Sequence, residues 1–393
     1  MPRMPRIYVK KNEDRRLRIG HPWIFSNEIE RYEGNIEDGD LVDVHSHGGS
    51  FLGRGYINRK SLISVRMLTR VPEEINVAFF VERIKRALDG RALFAFERDA
   101  LRLVFSEGDF LPGLIVDRYM DCLAVQTTTL GMERRLDLIL DAVEELLNPT
   151  AVVLRNDTSV RVQEGLLPEK RVARGICEEP ILLRDMSLIT VVDLLNGHKT
   201  GLYLDQSENR SVLEGVVASK RVLDCFCYSG AWGIDAARLG AAEVVLVESS
   251  PKALDTARQC AWLNGVSEKC SFVQEDCFSY IPRLGLSGER FDVVIVDPPG
   301  LVKSRSNMRA GLELYERINV EAMNLLGPGG VLVTCSCSHN VDRETFLSLL
   351  ARSAKNARRE AQIVEVRSQG RDHPVLLPGR VNEYLKCVVL KIW

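Results

Sequence analysis

Arg221-Val222-Leu223-Asp224-Cys225-Phe226-Cys227-Tyr228-Ser229-Gly230-Ala231-Trp232-Gly233 is an apolar run that reaches an acid and then a loop with two late glycines. It reads as a strand that passes through a turn into a helix. Gly230 and Gly233 remove side chains where a loop must approach a ligand and turn into that helix. The order differs from the GxGxxG dinucleotide fingerprint, because the acid stands at the strand end and the glycines come later. Asp224 would repel a pyrophosphate at this helix terminus and attract a sulfonium or an amino group.

The same stretch opens a regular alternation of strands and helices. Strands are expected near 221–226, 243–248, 271–275, 291–296 and 330–335, and two more near 361–367 and 384–392. One intervening helix opens at Ser250-Pro251, with Ser as cap and Pro at the first helical position, and stops at Asn264-Gly265. Upstream, Asp205 and Glu208 form a capping box that predicts a helix to about residue 218. Such alternation makes a doubly wound α/β sheet, whose ligands belong at the carboxyl ends of its strands. Two further acids stand there. Glu248 is placed to take both hydroxyls of a ribose, and Asp276 to receive an adenine amino group. Each alone reads as a solvated strand-end residue; together on successive strands they describe a site for an unphosphorylated cation.

Two more segments bear on chemistry. Val296-Asp297-Pro298-Pro299 ends one strand, and Thr334-Cys335-Ser336-Cys337-Ser338 ends the next. A thiol at a strand's carboxyl end near an Asp-Pro-Pro turn suggests covalent attack on a nucleobase. The two prolines stiffen the turn and leave no amide donors to compete for the base. In an extended segment Cys335 would point to the same side as Cys337 but lie further back, which suits packing.

The rest of the chain carries less chemistry. Its 393 residues allow two or three domains. With 45% hydrophobic and 27% charged residues it is ordinary for a globular protein. No apolar run is long enough to span a bilayer, and the N-terminus lacks the apolar stretch of a signal peptide, so a cytoplasmic location is expected. The ten cysteines are then expected as free thiols, and neither close pair has zinc-site spacing. His45 and His47 form an HxH pair without further ligands and read as a solvated loop; no metal is expected.

Net charge is −2, which gives no global nucleic-acid footprint. Residues 1–18 nevertheless hold seven basic side chains, including Arg3, Arg6, Lys10, Lys11, Arg15 and Arg16, against Glu13 and Asp14. That arm suits phosphates or is a solvated terminus. Residues 1–72 form a β-rich unit of short strands such as 41–44 and 62–65. Residues 73–184 mix helices near 75–95 and 132–147 with strands at 101–105, 114–119 and 151–154, an α+β middle domain. The alternating region fills 185–393.

On these residues two resemblances stand out. The first seventy residues, with Gly20-His21-Pro22-Trp23-Ile24-Phe25, resemble a PUA domain, a small RNA-binding barrel. Asp224, Gly230, Glu248, Asp276 and Asp297-Pro298-Pro299 fall on the ordered motifs of class I S-adenosylmethionine-dependent methyltransferases, which have a Rossmann-like sheet. Thr200-Gly201-Leu202-Tyr203-Leu204-Asp205-Gln206-Ser207-Glu208-Asn209-Arg210 narrows the resemblance to bacterial 23S rRNA (cytosine-C5) methyltransferases with an N-terminal PUA domain.

That resemblance implies S-adenosylmethionine as cofactor, held by Asp224, Phe226, Ser229, Gly230, Glu248, Asp276 and Asp297. Tyr203, Gln206 and Arg210 are expected nearby, or else they cap and pin the predicted helix. Cys337 matches the family's catalytic cysteine, with Asp297 as the acid at ring nitrogen 3. RNA contacts are expected from the basic arm and from Lys303, Arg305 and Arg309 in the loop after Gly300, and a homodimer is implied. Another branch of these enzymes has a second cysteine where this chain has Gly300. Competing readings are methyl transfer to a base nitrogen without a thiol, a noncatalytic RNA-binding factor, and a nicotinamide-dependent oxidoreductase. The last is disfavoured by the missing phosphate fingerprint.

Overall fold

A computed structural model describes residues 4–94 and 98–393; Arg3 of the basic arm lies outside the described residues. The chain divides into two compact units. One comprises Met1–Leu183, Val192–Leu204 and Arg371–Asn382; the other comprises Arg184–Val191, Asp205–Gly370 and Glu383–Trp393.

The first unit contains two sheets. Six strands, Arg6–Val9, Trp23–Phe25, Ile29–Glu33, Leu41–His45, Phe51–Ile57 and Ile63–Thr69, form the N-terminal sheet around Ile7, Val9, Ile24, Val42, Val44 and Val65. The basic segment is therefore no free arm. Ile7 and Val9 are apolar and buried, and they draw Arg6–Val9 into the sheet beside Leu41–His45 and Ile29–Glu33. His45 also leaves the expected loop: it ends a strand, and its ring packs 5.3 Å from Tyr8 and 5.8 Å from Phe51.

The second sheet has five strands, Ala100–Phe105, Leu114–Tyr119, Cys122–Thr127, Ala151–Asn156 and Glu169–Gly175, and helices Val77–Ala92 and Leu136–Leu147 share its core. The helix expected over 132–147 is broken. A turn at Leu130–Glu133 precedes Leu136–Leu147, and the Arg135 guanidinium between them donates to Gly131 O (2.6 Å) and Gly39 O (2.9 Å). Two later segments are tied in by buried polar groups. Thr200 donates to Asp117 Oδ2 at 2.5 Å, and Asp372 accepts from the Arg102 amide at 3.1 Å beside Arg98 at 3.2 Å.

The second unit is built on seven strands: β1 (Arg221–Cys225), β2 (Glu243–Glu248), β3 (Cys270–Gln274), β4 (Phe291–Val296), β5 (Leu326–Ser336), β6 (Ala361–Arg367) and β7 (Lys386–Ile392). Their order is β3-β2-β1-β4-β5-β7-β6. β1 to β5 are parallel, whereas β7 runs antiparallel between β5 and β6. The central strands are apolar on both faces because helices cover both. These helices are α1 (Ala231–Arg238), α2 (Pro251–Leu263), α3 (Cys277–Leu286), α4 (Met308–Leu325) and α5 (Arg343–Asn356). Tyr315, Ile318 and Phe346 pack on one face of the sheet, and Ile234, Leu254 and Cys260 on the other. Ser250 Oγ accepts from Ala253 N at α2's start, and Gly265 beyond its end adopts φ +67°.

The helix predicted from Asp205 to residue 218 does not form. Two 3₁₀ segments, Leu204–Gln206 and Asn209–Leu213, take its place. Asp205 does not cap. Its carboxylate accepts from Tyr384 OH at 2.6 Å, and Asn209 donates to Ser368 O at 3.1 Å. These long-range partners outcompete local capping bonds. Among the described residues, no helix is long and apolar enough to cross a membrane.

Candidate active site

The apolar run Val222-Leu223 carries Asp224 to the end of β1, where it is fully buried. Its Oδ2 accepts from Gly233 N at 2.8 Å, and its Oδ1 has no hydrogen-bond partner among the described residues. A side chain at 233 would press on that carboxylate, 3.0 Å away, and on Leu246. Gly230 sits at φ +81°, and a Cβ there would crowd Ile234, Leu246 and Ala257, so only glycine suits the position. Phe226 (φ +61°) and Tyr228 (φ +50°) also adopt left-handed backbone, a conformation costly for bulky residues and one that clusters at ligand sites.

Glu248 at the end of β2 closes this loop. One carboxylate oxygen accepts from Tyr228 N (3.1 Å), the other from Ser250 N (2.8 Å) and Ser249 Oγ (3.1 Å). Asp276 after β3 is exposed and caps α3 through Ser279 N at 3.1 Å. Asp297 after β4 is half-buried, and its Oδ2 accepts from Gln206 Nε2 (3.1 Å) and Trp232 Nε1 (3.2 Å). Burial, then Asp297 and Glu248, pushes the Asp224 carboxyl up to about 8. A cation brought against this acid cluster relieves both the repulsion and the unsatisfied Oδ1. The sulfonium and amino groups of S-adenosylmethionine fit that demand.

Several expected neighbours behave differently. Arg210 is buried between Asp235 (2.6 Å) and Asp185 (2.9 Å); burial opposes its charge, yet the two acids hold it above its ordinary range. It joins the Asn209–Leu213 segment to Asp185 and Asp235. Tyr203 belongs to the other compact unit and has the Lys199 ammonium 4.3 Å over its ring. Gln206 reaches the acids, donating to Asp297 Oδ2. Trp232 went unread in the sequence, where it looks like one more apolar position of α1.

The Cys337 thiol stands beside the turn that follows Asp297. Its Sγ lies 4.0 Å from Pro298 O, and it is half-buried just beyond β5. A Cβ at Gly300 would be 3.7 Å from it. Cys335 is sealed in the sheet opposite Cys387, and burial with that neighbouring thiol raises it well above the thiol range. Ser338 Oγ accepts from Val302 N at 3.1 Å and contacts Tyr315 OH at 3.1 Å, which ties the thiol segment to the turn.

Lys10, Lys11 and Arg15 are exposed in the turn and short helix that follow the strand Arg6–Val9, whereas Arg6 is half-buried and Arg16 pairs with Glu28. Lys303 and Arg305 are exposed. Arg309 is on α4 rather than in the loop and pairs with Glu313 at 2.9 Å.

Comparison with known proteins fits this geometry. Residues 7–70 match the PUA-like domain family, and residues 136–374 match the family described as S-adenosylmethionine-dependent methyltransferase. The chain is 40% identical over 391 residues to the Ribosomal RNA large subunit methyltransferase I of Aeromonas salmonicida, covering 98% of each chain. The protein of that name from Photobacterium profundum is 40% identical over 389 residues, covering 97% of each. A Streptococcus mutans protein designated a SAM-dependent methyltransferase shares the fold at a TM-score of 0.85 with 19% identity, over 98% of this chain and 99% of that one. SMU.776, solved with SAH, gives 0.82 at the same identity and coverage. The chain belongs to the S-adenosylmethionine-dependent methyltransferase family, and S-adenosylmethionine is its cofactor.

Proposed function

We propose that this enzyme methylates carbon 5 of a cytosine in large-subunit ribosomal RNA through a covalent Cys337 adduct at carbon 6. The observation that carries this reading is the half-buried Cys337 thiol beside the Asp297-Pro298-Pro299 turn, 4.0 Å from Pro298 O. Relatives of nearly full-length similarity bear the name Ribosomal RNA large subunit methyltransferase I, which supports the RNA class. The PUA-like domain, with exposed Lys10, Lys11 and Arg15, supports an RNA surface, as do Lys303 and Arg305.

Carbon 5 of cytosine is too weak a nucleophile to act unaided. The Cys337 thiolate adds to carbon 6, and the ring's electron pair shifts to make carbon 5 an enamine carbon. Asp297, oriented by Gln206 and Trp232, faces ring nitrogen 3 and supports the proton gained there. Asp224 and Glu248 would hold S-adenosylmethionine, which when bound would supply a methyl group on a sulfonium to the enamine carbon 5, with a neutral thioether as the leaving group. A base then takes the carbon-5 proton, the carbon 5–carbon 6 double bond re-forms, and the Cys337 thiolate leaves. The target base must be single-stranded or flipped, because a paired base hides carbon 6 from a thiol.

The test is to map 5-methylcytosine in 23S rRNA from cells carrying wild-type protein, Cys337→Ala or no protein. A single 5-methylcytosine that needs Cys337 supports the proposal. Full methyl transfer by Cys337→Ala would instead indicate methylation of a base nitrogen, which needs no thiol.

A further inference from the structure

The antiparallel pairing of β5 with β7 sets Lys386 opposite Ser336, one residue short of Cys337. Lys386 is only 4% exposed. Its ammonium donates to Ser338 O at 2.8 Å and to Tyr384 O at 2.6 Å. Among the described residues no carboxylate stands within ion-pair distance of it. A buried ammonium is costly unless a negative charge compensates it, and two carbonyl dipoles do so only in part.

The groups around it narrow the choice of counter-charge. Asp342 is occupied as the cap of α5, accepting from Thr345 N at 2.8 Å. Glu383 is turned to Arg343 at 3.4 Å. His339 is exposed and stacks on Tyr384, ring centroids 5.0 Å apart. Tyr384 is held in that stack, Tyr315 on α4 faces the thiol and contacts Ser338, and the Cys337 thiol sits on the segment that Lys386 holds. Burial pushes Lys386 down to about 8, and Cys337, Asp342 and Glu383, in that order, oppose the shift. The bond to Ser338 O also fixes the residue that directly follows the thiol.

We propose that Lys386 is a positioning residue that fixes the Cys337 segment and supplies the charge against which the Cys337 thiolate is stable. This rests on the reading of Cys337 as nucleophile and extends it, since only the thiolate attacks carbon 6. No bond to Lys386 forms or breaks. Its ammonium keeps its protons while the thiol loses one to solvent.

The experiment follows alkylation of the full-length protein by iodoacetamide between about pH 5 and pH 10, reading the Cys337 peptide by mass spectrometry. Wild-type protein is expected to react with a midpoint at least about one unit below the ordinary thiol value of about 8.5. Lys386→Met is expected to raise that midpoint by about one to two units, and Lys386→Arg to restore it. Unlabelled Cys335 and Cys387 peptides, with S-adenosylmethionine binding retained, report that the variants are folded. A wild-type midpoint at or above about 8.5 overturns the proposal without any variant. So does an unmoved midpoint in folded Lys386→Met. A low midpoint together with full methyl transfer by Cys337→Ala would leave the Lys386–Cys337 coupling standing and remove its link to catalysis.

Discussion

Two cations are buried in the methyltransferase unit, and their surroundings are opposite in kind. Arg210 lies between the carboxylates of Asp185 and Asp235, so its charge is spent where it sits. Lys386 meets two main-chain carbonyls, and the nearby acids Asp342 and Glu383 are engaged elsewhere. Carbonyl dipoles can hold an ammonium in place, but they leave most of its field for a neighbour that titrates. On the proposal made above, the difference separates a cation that holds the fold together from one that conditions a reactive group.

The largest expected effect falls on the side of the thiol. Cys337→Ala should lower methyl transfer to 23S rRNA by about three orders of magnitude or more, measured with labelled S-adenosylmethionine. Next comes the saturated cation. Arg210→Met removes the cation shared by the buried Asp185 and Asp235 carboxylates, leaving Ser207 on the first and Arg238 on the second, and should cost about 3–5 kcal/mol in urea unfolding. Lys386→Met should cost only about 1–3 kcal/mol, the penalty for carbonyls that lose their donor. Equal losses for the two would break the comparison.

Asp224 sharpens it from the acid side. Asp224→Asn keeps an acceptor for Gly233 N and removes the carboxylate that a bound cation would ionise, so calorimetry should show S-adenosylmethionine affinity reduced about 10- to 100-fold. Without ligand, the same variant should melt no lower than wild type at neutral pH. The folded carboxyl titrates at about 8, whereas in the unfolded chain it titrates at about 3.9. Between those values the native state binds the extra proton, so wild-type stability falls as pH rises and the fall ends above about 8. Melting temperatures of wild type and Asp224→Asn should diverge across that window. The smallest effect is expected at Asp342→Asn. Asparagine keeps the α5 cap, and the Cys337 alkylation midpoint should move by less than about half a unit if Lys386 carries the effect.

The sheet was legible in the sequence because its signals are local. Apolar runs ending in Asp224, Glu248 and Asp297 mark strand ends, and Ser250-Pro251 and Asn264-Gly265 bound α2 from within their own turns. The helix after Asp205 misled for the converse reason: Asp205 bonds to Tyr384 and Asn209 to Ser368, each more than 150 positions away. Lys386 and the partners of Arg210 were invisible on the same ground. A lysine that begins a strand looks solvated until β5 and β7 pair. Asp185, Arg210 and Asp235 form one cluster only after the chain has closed.

Gly300 has a consequence for what this scaffold could become. The space at that position admits a side chain, with the Cys337 sulfur 3.7 Å from where its Cβ would be. A cysteine there would place a second sulfur close to the first. Mild oxidation could then join the two and silence the enzyme, and a reducing agent could restore it. A chemically addressable latch is therefore one amino-acid replacement from the present sequence.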